Sequence, residues 1–188
     1  GKIMLPLSDG VELKYVVERC KAIHGASAVI VATSHSTLDD QVASWCSEFG
    51  YLCFRGSEED VLSRYYECAC RFQPDYVLRV TGDCPFTDYH LAMDMINAAK
   101  DQPCDIVRLE GQLPRGLEPQ LVSFKALEWM YRYAKLPHHR EHVTYYAYEY
   151  PDQFQSTTLQ VPLEMQKPHL RITVDTAEDY RLMQEIAD

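Results

Sequence analysis

The sequence predicts an α/β fold of three layers, with helices covering both faces of a mostly parallel, mixed sheet. Two observations carry this. Ala28-Val29-Ile30-Val31-Ala32 is a continuous apolar run, rich in β-branched residues and followed by polar ones, as in a strand buried on both faces. Such runs alternate with amphipathic stretches of about a dozen residues, long enough to cross back over a sheet and set its strands parallel.

The elements follow in order. In Val11–Ile23, Leu13, Val16, Val17, Cys20 and Ile23 fall on one helical stripe. The buried run then closes on Thr33-Ser34, and Thr37-Leu38-Asp39-Asp40 opens a helix with a hydroxyl cap and an acid in its first turn. Leu38, Val42, Trp45, Cys46 and Phe49 form its apolar face, and Gly50 stops it. Tyr51–Phe54 is a short strand, and Ser57-Glu58-Glu59-Asp60 opens a helix carrying Val61, Leu62, Tyr65, Ala69 and Phe72. Strand Tyr76–Val80 is broken by Gly82 and Pro85, and helix Tyr89–Ala99 and strand Asp105–Leu109 follow. Beyond an extended Leu117–Val122 come helices Phe124–Ala134 and Glu141–Tyr148 and a strand around Ser156–Val161. The last strand is Leu170–Val174, before a helix capped by Thr176 with Asp179 in its first turn. No linker, low-complexity tract or internal repeat interrupts this series, so residues 1–188 read as one domain.

Composition narrows the partners. Lys and Arg number 18 against 28 Asp and Glu, a net charge of −10 that argues against nucleic acid, whose phosphate backbone needs a basic face. A single nucleotide is not excluded, because a metal and a few donors can hold its phosphates. No apolar run approaches the roughly 18 residues of a membrane span. Seven cysteines, an odd count without C-x-x-C spacing or a leader, suit free thiols in the reducing cytoplasm. Cys68 and Cys70 diverge on their helix and are read as core.

In parallel sheets, ligands bind beyond the carboxyl ends of the strands. Two such ends stand out. Val80-Thr81-Gly82-Asp83-Cys84-Pro85 places Asp83 after a glycine that permits a tight turn, and Ile172-Thr173-Val174-Asp175-Thr176 places Asp175 at the end of the last strand. Two carboxylates at one sheet edge need a positive partner, and Mg²⁺, which takes carboxylates plus phosphate oxygens, supplies one. The plain alternative is that each is a turn former or helix cap. Arg55-Gly56-Ser57 precedes a helix N-terminus able to receive an anion, although a glycine turn and a cap explain it as well. His138-His139-Arg140-Glu141-His142 spells H-x-x-E-H, the inverted zinc-peptidase motif. Pro137 directly before it and the tyrosines after it favour a polar helix start with stacked histidines.

With these segments in order, the chain resembles the sugar cytidylyltransferases of the spore-coat polysaccharide type, relatives of the 3-deoxy-manno-octulosonate and acylneuraminate cytidylyltransferases. The matching segments are Gly1–Leu7, Ile30–Ser34, Phe54–Tyr65, Arg79–Pro85, Arg140–Thr144 and Arg171–Asp179, in register along nearly the whole chain. The resemblance implies a nucleotide-diphospho-sugar transferase-like fold, a homodimer, and transfer of CMP from CTP to a sugar with release of pyrophosphate. Asp83 and Asp175 match the family's metal-binding acids, and Lys2 a lysine that contacts CTP phosphates. Gly56, Ser57, Asp60, Thr81 and Gly82 fall on the nucleotide side, Glu118 and Gln120 on the sugar side. Family members carry a first strand and a phosphate-cradling loop ending in R-L-P-G-K; this sequence begins at its Gly-Lys and has Pro119 where a β-former is usual. Two expectations follow: a Mg²⁺-dependent enzyme activating an acidic or modified sugar for surface glycans, or a non-catalytic nucleotide- or sugar-binding homologue without the loop.

Overall fold

The computed structural model describes residues 1–187. Its strands form three sheets. β1 (Pro6–Leu7) and β2 (Gly10–Val11) make a small antiparallel hairpin, and β3 (Ile30–Ser34) pairs in parallel with β4 (Leu52–Gly56). The third sheet has four strands in the order β5 (Tyr76–Arg79), β7 (Gln120–Ser123), β6 (Ile106–Glu110) and β8 (Ser156–Gln160). β7 runs antiparallel to both its neighbours, while β6 and β8 are parallel, so the sheet is mixed.

Alternation across this sheet separates two cores. Val77, Val122 and Ile106 stand side by side in register and face α3 (Val61–Phe72) and α5 (Phe124–Tyr133), where Leu62, Leu127 and Met130 are fully buried. One residue along, Leu78, Leu121 and Val107 face Met95 and Ala99 of α4 (Tyr89–Asp101). A third core joins Leu13, Val16 and Val17 of α1 (Glu12–Lys21) to Val42, Trp45 and Cys46 of α2 (Asp40–Glu48), over Val31 and Cys53. Two helical layers therefore flank the strands, as the apolar spacing requires.

Several expectations change. The apolar run at 28–32 is not buried on both faces: Ile30, Val31 and Ala32 are only half-buried, because the edge of β3 away from β4 has no strand beside it. Leu170–Val174 is not a strand. It makes a single parallel bridge, Arg115 to Arg171, and its other backbone bonds go to a turn, Val174 N–H donating to the Asp83 carbonyl at 3.0 Å. Glu141–Tyr148 is not one helix but two short ones, α6 (Pro137–Glu141) and α7 (Tyr145–Glu149). Val143 between them is buried at φ +46, a conformation costing a β-branched residue about 1–3 kcal/mol, held because its side chain packs into the α3–α5 core. Lastly, α3 begins only after Asp60, whose carboxylate accepts from Ser63 N–H at 2.9 Å as its N-cap.

Among the described residues no helix is long and apolar enough to cross a membrane. Cys46, Cys68, Cys84 and Cys104 are buried, and burial pushes the thiol of Cys46 up to about 12 and those of Cys68 and Cys84 to about 11, as for inert core residues.

Candidate active site

A cleft of about 1570 Å³ opens where the β3–β4 pair and the four-stranded sheet fail to meet. The unpaired edges of β3 and β5 form its walls, and its mouth lies at their carboxyl ends. It exceeds the roughly 300–1000 Å³ of most small-ligand pockets.

Asp83 reaches the mouth on a turn after β5, closed by Cys84 N–H donating to the Thr81 carbonyl at 3.1 Å. Gly82 is not required for this turn, since its φ is not positive and an added Cβ would come no nearer than 3.4 Å to Ile3. The Asp83 carbonyl accepts from Val174 N–H and, at 3.1 Å, from the Thr173 hydroxyl, which brings the Asp175 segment alongside. Gly116 fixes the other side: at φ +100 it lies so close to Ile172 that an added Cβ would sit 2.8 Å from the Ile172 carbonyl oxygen. Asp179 then caps the last helix, α8 (Ala177–Ala187), accepting from Asp175 N–H at 3.0 Å and Thr176 N–H at 2.8 Å.

The result is a three-residue ionic centre. Lys2 Nζ lies 2.8 Å from Asp83 Oδ2 and 2.7 Å from Asp175 Oδ1, bridging two acids that are distant in sequence. Burial alone would lower the Lys2 pKa, yet hydrogen bonds to Asp175 and Asp83 hold it above its usual value. Burial would likewise raise Asp83, but the Lys2 ammonium keeps its carboxyl below the usual range. Arg171 bonds Asp175 through Nη2 and lies 3.2 Å from Asp179 through Nε. Lys2 Nζ thus sits between the two carboxylates, whose hard oxygen donors are of the type Mg²⁺ takes.

Thr81 and Gly82 line the same cleft, as do Glu118 and Gln120. Burial raises the Glu118 carboxyl above its ordinary value, and Gln120 accepts from Arg79 at 2.7 Å and from Thr144 at 2.8 Å. Gly56, Ser57 and Asp60 lie apart from the cleft lining. Gly56 ends β4, Ser57 Oγ accepts from Asp60 N–H at 3.0 Å, and the Asp60 carboxylate is shared between the α3 cap and Arg140. The Arg140–Thr144 segment thus has a structural role, with Arg140 Nη1 also donating to the Tyr131 carbonyl at 2.9 Å. The zinc-peptidase trio does not assemble, for Glu141 and His142 line the cleft while His138 turns to Glu149.

Sequence reasoning missed two participants. Arg171 was visible as a base four residues before Asp175. Glu12 was not: it is the first residue of α1, wholly buried, with neither carboxylate oxygen partnered. Burial, reinforced by the charge of Asp83, pushes its pKa up to about 7. Nothing in an amphipathic helix pattern marks an acid as inward-facing at its first turn, where acids are common on helix-dipole grounds.

The fold and the paired acids at the cleft suit a nucleotidyltransferase. A family model described as cytidylyltransferase matches residues 1–187, and the chain belongs to that family. It is 32% identical over 185 residues to the spore coat polysaccharide biosynthesis protein SpsF of Bacillus subtilis, covering 96% of this chain and 77% of that one. A cytidylyltransferase from Leptospira borgpetersenii serovar Hardjo-bovis superposes with a TM-score of 0.89 at 29% identity, over 98% of this chain and 78% of its own. The CMP:2-keto-3-deoxy-manno-octonic acid synthetase, solved in complex with CTP, shares the fold at a TM-score of 0.73 and 13% identity, over 99% and 91% of the two chains.

Proposed function

We propose that the protein transfers CMP from CTP to a hydroxyl of an acidic or modified sugar, releasing pyrophosphate, as a step in surface-glycan assembly. The observation that carries this is the cation seat between Asp83 and Asp175 at the mouth of the cleft. In the reaction the sugar oxygen bonds to the α-phosphorus, the bond from that phosphorus to the β-phosphate bridging oxygen breaks, pyrophosphate departs, and the hydroxyl proton passes to solvent. Asp83 and Asp175 would hold Mg²⁺, which when bound neutralises charge on the α-phosphate. Lys2 presents an ammonium to the phosphates, Thr81 and Gly82 border the nucleotide, and Glu118 and Gln120 meet the sugar. Gly56, Ser57 and Asp60, in the turn from the end of β4 into α3, belong to the nucleotide side on the family resemblance. A homodimer in the cytoplasm belongs to the same proposal, on the family resemblance.

The open edges of β3 and β5 also suit one further strand, supplied from outside these 188 residues and carrying the phosphate-binding loop. The half-burial of Ile30, Val31 and Ala32 supports it, since an apolar run of that kind is otherwise left partly wet.

The test is pyrophosphate release from CTP over a panel of sugar acids. Asp83→Ala is expected to lower kcat by at least about a hundredfold with the fold intact. Absence of release on every sugar, from a chain extended through the open strand position, would overturn the proposal.

A further inference from the structure

Away from the cleft, α6 and α7 bring together three side chains that the transferase chemistry does not use. His139 Nε2 lies 2.5 Å from Glu149 Oε2, and His138 Nε2 lies 3.2 Å from Glu149 Oε1. The donor atoms of all three residues fall within 4.8 Å of one another. We propose that His138, His139 and Glu149 form a second cation site, one that takes a borderline divalent ion of the zinc type.

The donor set argues for that class of ion. Two imidazole nitrogens and a carboxylate are the ligands zinc, nickel and cobalt prefer, whereas Mg²⁺ prefers all-oxygen surroundings such as the Asp83–Asp175 pair. Three protein ligands leave a fourth position for water. His139 is 1% exposed and its Nδ1 has no partner, so the polarity of this buried ring is directed through Nε2 to Glu149 alone. His138 Nε2 is likewise buried and without a hydrogen-bond partner, a second unsatisfied imidazole nitrogen beside Glu149. The rest of the His138 and Glu149 side chains reach solvent at exposures of 42% and 35%. Around the histidines stand Tyr145, 5.3 Å from the His138 ring, and Tyr146, 5.2 Å from the His139 ring, an aromatic shell that limits water without competing as ligands.

The site has a consequence for the cleft. Its ligands sit on the two sides of the left-handed Val143, and the ion would clasp α6 to α7 across that strained turn. Between the ligands run Arg140, tied to Asp60, and Glu141 and His142, which line the cleft. An ion there would hold the segment that forms this wall.

The experiment is calorimetric titration of the chelator-stripped full chain with Zn²⁺, in excess Mg²⁺ to occupy oxygen-only sites, with Co²⁺ absorption to identify the donors. Expected are one ion per chain at a Kd of about 10 μM or tighter, and a Co²⁺ spectrum without thiolate charge-transfer bands. His138→Ala, at a half-exposed position, and the near-isosteric Glu149→Gln should each weaken binding at least about tenfold while circular dichroism is unchanged. No binding, binding unchanged in both variants, or a thiolate spectrum from the free cysteines would overturn the proposal.

Discussion

The two halves of the strand system carry equally apolar sequences yet end in different states. At the centre of the four-stranded sheet, Ile106, Val107, Leu121 and Val122 are 2% exposed or less, each covered by a strand on either side and a helix above or below. In β3, Ile30 and Val31 are no less hydrophobic but remain half-buried, because only one edge of that strand is paired. Burial is thus set by neighbouring strands as much as by residue type. The Lys2–Asp83–Asp175 centre lies at the end of the unfilled gap.

The largest stability effect is expected on the filled side. Leu127 is fully buried between α5 and the sheet, so Leu127→Ala should cost about 2–5 kcal/mol, read as a lower urea midpoint at constant slope. Arg140→Ala should come next. Arg140 holds Asp60 through Nε and Nη2 and two carbonyls through Nη1, at 20% side-chain exposure. Its loss leaves those acceptors short of donors for about 2 kcal/mol. Arg140→Lys should restore less than half, since an ammonium cannot span three partners.

Much of this was legible beforehand. Val16, Val42 and Leu62 lie on the apolar stripes that the spacing picks out, and they form the cores, joined by Met95 and Leu127 from helices read only as ranges. Asp83 stood out because it follows a strand, which is where such sheets place ligands; Asp175 comes beside it although no strand precedes it. What could not be read depends on tertiary partners. Arg171 makes one bridge to Arg115 where a strand was expected, because whether an extended stretch pairs is decided by its neighbours. Val143 breaks the helix between α6 and α7 because its side chain gains more from the core than the backbone loses. Glu12 was hidden because an acid at a helix start is ordinary, and only the fold shows that this one faces inward.

Glu12 also sharpens the comparison, as a buried group beside the ionic centre. Its pKa is about 7 in the folded chain against an ordinary 4.5. Below pH 4.5 both states are protonated and no penalty arises; between 4.5 and 7 the unfolded chain ionises first, so the folded state loses ground as pH rises. The whole penalty, at most about 3 kcal/mol, is present above pH 7. Glu12→Gln should therefore stabilise the protein at pH 8 relative to pH 5, seen as unfolding midpoints that no longer fall across this window. An unchanged fall in the variant would assign the dependence to another group.

The smallest effect is the most direct test of the gap. The same change, Val→Ala, can be made at Val122 and at Val31. At Val122, 0% exposed, it removes fully buried methyl groups and should cost about 2 kcal/mol. At Val31 the lost carbons are already partly wet, and the cost should be about 1 kcal/mol or less. If a further strand fills the space between β3 and β5, the Val31 cost should rise toward that of Val122 in a chain carrying that strand, while the Val122 cost stays fixed. Equal costs at the two sites in the 188-residue chain would mean that the gap closes in solution, and the contrast between the two halves of the strand system would then disappear.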